Sequence, residues 1–265
     1  MFVAGLASAV TLGAATSSAT ATNPSGASPL ETTDHIVEIR DGTDELLEYA
    51  PKLYVPPAEA RRTRSETTGQ YGWIAESEDY DVSAYYYWTR YSTQRSSLAY
   101  IGLDADAVRI PLTDWEFGFD SHFLDHEPTI VFVEDDGSVD SVVTTGGHHY
   151  ALEISGRFGN FSRDRHVNLS VIRPWNHYIE APRDVEGTLV DDYPHSEFGS
   201  WLDVRDVWFS NGRYENTATE AIEDPFVFYG RDGRTHWWRE GTWDAWAARH
   251  FYNRRVRTDD LRYQQ

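Results

Sequence analysis

Two β-branched, apolar runs, residues 129–133 (TIVFV) and 139–145 (VDSVVTT), flank an Asp136-Gly137 pair. Alternating apolar segments on either side of Asp-Gly predict an antiparallel hairpin closed by a two-residue turn. In that register Val131 faces Val142, Glu127 faces Gly146 and Asp125 faces His148. Successive side chains in a strand point to opposite faces, so Asp125, Glu127 and His148 fall on one face and His126 and His149 on the other.

The remaining pattern is also mainly that of strands. Residues 34–40 (DHIVEIR) and 167–172 (VNLSVI) alternate, and 108–112 and 225–229 are short apolar runs bounded by turn residues. Residues 84–93 (AYYYWTRYST) form the densest aromatic stretch, with a period of two that places Tyr85, Tyr87 and Thr89 on one face and Tyr86, Trp88 and Arg90 on the other. Residues 149–154 are expected to continue the second hairpin strand, and 156–165 to form a loop. Short helices are predicted at 43–50, before Pro51, and at 242–255, where Thr242 caps and Arg254 and Arg255 complement the negative end. Residues 55–70 read as a surface connection, and 201–208 (WLDVRDVW) fit helix and strand equally. The sum is a mainly β fold, a β-sandwich or curled antiparallel sheet with one or two appended helices.

The N-terminal segment stands apart. Residues 1–21 are apolar and small, ending Ala19-Thr20-Ala21, which is the pattern of a secretory signal peptide lacking its basic n-region. Residues 22–33 are a linker rich in Ser, Thr and Pro, and 34–265 are expected to form a single mainly β domain. No segment after the signal approaches the roughly 20 apolar residues needed to span a bilayer.

Charge narrows the partners. Acidic residues outnumber basic ones 43 to 23, for a net charge of −20, and Lys52 is the single lysine. Such a surface repels phosphate backbones, so nucleic acid is not an expected partner. Acidic, lysine-poor surfaces suit a halophilic protein, because concentrated salt screens self-repulsion within about 3 Å at 1 M. With no cysteine, thiolate chemistry, disulfides and iron–sulfur clusters are excluded.

Three chemistries fit what is left. Oxygen and imidazole groups gathered at the open end of the hairpin suit a divalent metal ion, calcium, magnesium or zinc alike, with Asp125, Glu127 and His148 as first ligands and His126, Asp120 and His122 behind them. Glu127 or Asp125 beside His148 or His177 would make the acid–base pair of a hydrolase, although no G-x-S-x-G or glycine-rich phosphate loop accompanies it. Trp237, Trp238, Trp243 and the Tyr85–Trp88 strand could form an aromatic glycan platform if their rings are exposed. The reading favours binding over catalysis: a secreted protein engaging a surface ligand, glycan or glycolipid, through the metal site, with Tyr87, Trp88, His149 and His177 as ligand contacts.

Tyr86-Tyr87-Trp88, then Asp125-His126-Glu127 running into 129–133, then Thr144-Thr145-Gly146-Gly147-His148, resembles the necrosis-inducing, NEP1-like family and the related Vps62-like proteins over residues 84–150. The resemblance implies a β-sandwich with flanking helices and an acidic/histidine motif that binds a divalent cation used to engage membrane glycolipids. The chain departs from the family's Gly-His-Arg-His-Asp-Trp-Glu run and lacks the cysteines common in its toxic members.

Overall fold

The structure is a computed structural model. It describes residues 34–40, 43–60, 65–94, 108–109, 116–117, 122–146, 150–163, 165–173, 175–189, 195–197, 224–231 and 237. In chain order the elements are β1 (Ile36–Arg40), α1 (Thr43–Tyr49), β2 (Lys52–Tyr54), α2 (Pro57–Ala60), β3 (Thr67–Ser77), β4 (Val82–Gln94), β5 (Val108–Arg109), β6 (Glu116–Phe117) and β7 (His122–Glu134). There follow β8 (Val139–Gly146), β9 (Tyr150–Ser155), β10 (Phe161–Ser162), β11 (His166–Ile172), β12 (His177–Glu180), β13 (Thr188–Leu189), β14 (His195–Glu197) and a 3-10 turn over Pro225–Arg231.

A seven-stranded sheet runs β1-β3-β4-β7-β8-β9, with β14 joining β3, and a five-stranded sheet runs β10-β11-β2-β13, with β12 joining β11. Pairing is antiparallel except for β14 on β3 and β11 on β2. The two sheets face each other across a core built from Ile74, Tyr85, Tyr87, Val131 and Val142 on the long sheet and Leu53, Val167, Leu169 and Val171 on the short one, with Leu46 and Tyr49 of α1 at its side. The mainly β expectation therefore holds, in its sandwich form.

The long sheet has a second core on its outer face. Trp73, Tyr86, Trp88, Ile130 and Phe132 pack there under Phe226, Phe228 and Trp237 from the C-terminal part of the chain. Both faces of β4 are thus dry, which explains a strand carrying aromatics on both sides instead of an apolar–polar alternation.

The hairpin has the register read from the sequence, reached by another route. Val131 pairs with Val142 and Thr129 with Thr144. The turn, however, is not a two-residue one: the Gly137 N–H donates to the Glu134 carbonyl at 2.9 Å, the Glu134 N–H to the Ser138 carbonyl at 2.9 Å, and Gly137 sits at φ +81°. This is a three-residue loop, a type I turn followed by a left-handed glycine. The register shifts again between Phe132 and Val133, where Asp140 is the extra residue, so the two irregularities compensate.

Four further assignments are corrected. Residues 150–155 do not extend β8 but reverse onto it, Gly146 pairing with Tyr150. The 225–229 run is a 3-10 turn, opened by Asp224, whose Oδ1 accepts the Phe226 N–H at 2.9 Å, and by Pro225, which suits a helical first position. The 55–70 connection contains α2 and the start of β3, and the 156–165 loop contains β10. Residues 201–208 and the helix expected at 242–255 lie outside the described residues.

Candidate functional site

Strand alternation turns Asp125 and Glu127 of β7 toward the short sheet, in line with Thr129 and Val131. Their neighbours across β4 are Tyr91 and Thr89. Pro128, between Glu127 and Thr129, has no N–H to offer a neighbouring strand, and its carbonyl instead accepts the Thr144 and Thr145 hydroxyls at 3.2 and 3.3 Å. The paired residues of β7 and β8 accordingly end at Thr129–Thr144, and the Glu127–Gly146 pair expected from sequence is not formed.

What meets the two carboxyls comes from the β11–β12 turn. Ile172 pairs with His177, and the intervening turn holds Asn176 at φ +60°, a left-handed conformation that asparagine adopts more readily than most residues. Asn176 Nδ2 donates to Asp125 Oδ2 at 2.6 Å and to the Thr93 carbonyl at 3.0 Å, while its Oδ1 accepts from the Arg173 guanidinium. His177 Nε2 lies 3.5 Å from Glu127 Oε1. The Tyr91 and Tyr178 hydroxyls are 2.8 Å apart, Arg173 stacks over the Tyr91 ring at 5.3 Å, and the Arg173 N–H donates to Glu59 Oε2 at 2.9 Å.

This cluster is dry. Asp125 is 4% and Glu127 1% exposed, and Asn176 and His177 are fully buried. Burial raises the Asp125 carboxyl to about 7, against the opposing pull of hydrogen bonds from Asn176, the His126 backbone and Glu127 and of the Arg173 charge. Burial likewise pushes the Tyr91 and Tyr178 hydroxyls up and the Arg173 guanidinium down. Among the described residues Arg173 is a cation close to Asp125 and Glu59.

Of the residues singled out from sequence, Asp125, Glu127 and His177 come together. His126 points to the opposite face of β7, where its backbone neighbour is Arg90, so the three consecutive residues Asp125, His126 and Glu127 do not form one ligand set. His122 contributes its backbone to β7 opposite Gln94. Asp120, His148, His149, Trp238 and Trp243 lie outside the described residues. Among the described residues no three acidic or imidazole side chains converge tightly enough to hold a metal ion by themselves.

The Tyr85–Trp88 strand and Trp237 offer no aromatic platform. Tyr87, Trp88 and Trp237 are at most 1% exposed, and the Tyr87 hydroxyl donates to the Leu46 carbonyl at 2.6 Å. Their rings fill the two cores and present no face to a ligand. Sequence reasoning missed Arg173, Asn176, Tyr91 and Tyr178; the polar-aromatic run Arg173-Pro174-Trp175-Asn176-His177-Tyr178 directly after a strand was the signal that could have found them.

No family model and no curated protein matches the chain. Solved structures do resemble it. One is the crystal structure of Necrosis and Ethylene inducing Protein 2 from the causal agent of cocoa's Witches Broom disease, 14% identical, covering 63% of this chain and 80% of that one at a TM-score of 0.40. Others are NLPPya in complex with mannosamine (12% identical, 62% and 77% covered, TM-score 0.37) and with glucosamine (11% identical, 62% and 78% covered, TM-score 0.40). These weak matches are to the NEP1-like proteins that the sequence resembles.

Proposed function

We propose that the protein is a secreted, salt-adapted binding protein whose inter-sheet carboxyl pair, Asp125 and Glu127, takes a divalent cation and through it a surface ligand. The observation that carries this reading is the pair itself: two carboxyls on one face of β7 in a dry layer, with Asp125 held by Asn176, which the Arg173 guanidinium holds in turn. A divalent ion between them would offset both charges where burial makes them costly. The two side chains supply up to four oxygens. Calcium takes six to eight, so further positions would fall to water, to Asp120 or His148, and to the hydroxyls of a glycan or glycolipid headgroup.

Within that arrangement Asn176 holds one oxygen of Asp125, Arg173 orients Asn176, and His177 flanks Glu127. Secretion rests on the apolar N-terminal segment ending Ala19-Thr20-Ala21, and salt adaptation on the charge of −20 with Lys52 as the single lysine. No helix among the described residues is long and apolar enough to cross a membrane.

The test is thermal unfolding of chelator-treated protein at fixed ionic strength, titrated with calcium, magnesium, manganese and zinc. A native-state ligand at 100 times its Kd adds about 2.7 kcal/mol. A saturable rise in Tm with at least one ion, lost in Glu127→Gln, is expected. No rise with any ion, or an undiminished rise in the variant, defeats the proposal.

A further inference from the structure

A second constellation lies on the other side of the molecule's chemistry, with no share in the carboxyl pair. His35, just before β1, sits between Ser77 at the end of β3 and Asp224 at the head of the 3-10 turn. His35 Nδ1 is 2.8 Å from Ser77 Oγ, and His35 Nε2 is 3.0 Å from Asp224 Oδ2. These residues are 42 and 189 positions apart in sequence, so no local motif announces them.

Each member is held in place. Asp224 Oδ1 accepts the Phe226 N–H at 2.9 Å, leaving Oδ2 aimed at the imidazole. The His35 carbonyl accepts the Glu78 N–H at 3.0 Å, and Ser77 Oγ accepts the Asp79 N–H at 3.0 Å. The Tyr80 and Phe226 rings approach His35 edge-on at 5.9 and 5.7 Å and stack on each other at 5.1 Å. Asp224 is the most buried of the three, the His35 side chain is 21% exposed, and Ser77 is half-buried beside the exposed turn Glu78-Asp79-Tyr80. A hydroxyl at the surface, a histidine behind it and a carboxylate behind that is the order in which a nucleophile, its base and the base's orienting group are stacked.

We propose that Ser77, His35 and Asp224 form a nucleophilic site that cleaves small esters. With the proton of the neutral imidazole on Nε2, held by Asp224, Nδ1 is the acceptor facing the serine. Ser77 Oγ bonds to the acyl carbon as its proton passes to Nδ1, and Asp224 offsets the charge that develops on the ring. The tetrahedral centre then breaks its bond to the alcohol oxygen, which leaves with the proton from Nδ1. Water repeats the sequence on the acyl-serine, releasing the carboxylic acid and restoring the hydroxyl. The Asp79 N–H donates to Ser77 Oγ at the reacting centre, and the exposed Tyr80 ring beside it is an apolar surface for a short acyl chain. The ring nitrogens serve in the reverse of the more familiar order; the proton transfer requires only that they face opposite partners.

The experiment exposes the full chain, in chelator, to an alkyl fluorophosphonate and maps the labelled peptide, alongside p-nitrophenyl acetate hydrolysis as a function of pH. The adduct is expected on Ser77, absent in Ser77→Ala, with labelling and hydrolysis both slowed about 100-fold in His35→Gln. An adduct anywhere but Ser77, no adduct, or an unchanged rate in a folded His35→Gln protein overturns the proposal. Should His35→Gln fail to fold, Asp224→Asn, which keeps the side-chain shape, takes its place, and the peptide map of the unaltered chain decides on its own. Chelator throughout makes the outcome independent of the cation reading.

Discussion

Replacing Asn176 separates the contribution of its side chain from the cost of its backbone. The residue is fully buried at φ +60° and donates to Asp125 and to the Thr93 carbonyl. Asn176→Gly deletes both bonds, together with the one its Oδ1 accepts from the Arg173 guanidinium, and leaves a residue at ease in the left-handed region. The lost bond to an acidic group is worth about 1.5–3 kcal/mol, and the orphaned buried carbonyl adds roughly 1–3. The glycine variant should therefore lose about 2.5–6 kcal/mol. Asn176→Ala loses the same bonds and keeps a Cβ where left-handed backbone costs alanine roughly 1–2 kcal/mol, against which glycine's looser unfolded chain sets about 0.5–1. Alanine should come out the less stable of the two by about 0.5–1 kcal/mol. Urea unfolding in chelator reads both as shifts of midpoint at constant m. Losses below about 1 kcal/mol in both variants would refute the bonding argument; an alanine variant as stable as the glycine one would refute the backbone argument.

Two other perturbations follow. Burial raises the Asp125 carboxyl to about 7, so between pH ~4 and 7 the folded chain holds a proton that the unfolded chain has released. Stability must fall as pH rises through that window and level off above it, and Asp125→Asn, which cannot ionise, should gain on the unaltered protein over the same range. Urea melts at pH 4.5 and 7.5 in chelator measure this, and a difference that stays flat or changes sign counts against it. At the hairpin, Gly137→Val should cost about 2 kcal/mol and Gly137→Asn less than about 1. The native φ is +81°, and an added Cβ would come within 3.3 Å of the Tyr49 hydroxyl. Equal Tm values for the two variants would show that backbone handedness does not govern this turn.

The strands were legible where the pattern is local. Periodicity alone placed β1, β4, β11 and the hairpin, and the Asp125/Glu127 face followed from alternation. The turn at Gly137 was misread because Asp-Gly also closes three-residue loops, and the pairing survived because Asp140 compensates. The 225–229 run misled because five apolar residues carry no decisive period; Asp224 and Pro225 before them were the better guide. The partners of the carboxyl pair were illegible for another reason. Asn176 lies 51 positions from Asp125, and only the packing of one sheet on the other brings them into contact.

The long sheet is roofed on both sides, and that gives the stretch from Asp224 to Trp237 a standing its sequence hides. Phe226, Phe228 and Trp237 shelter Trp73, Tyr86, Trp88 and Phe132 from water. A shortened polypeptide stopping at residue 223 would bare those rings as one continuous oily surface, and large aromatics hide about 150–250 Å² apiece. That exceeds what a lone soluble molecule ordinarily shows to solvent, so truncated forms would be recovered as aggregates rather than as a leaner version of the same protein.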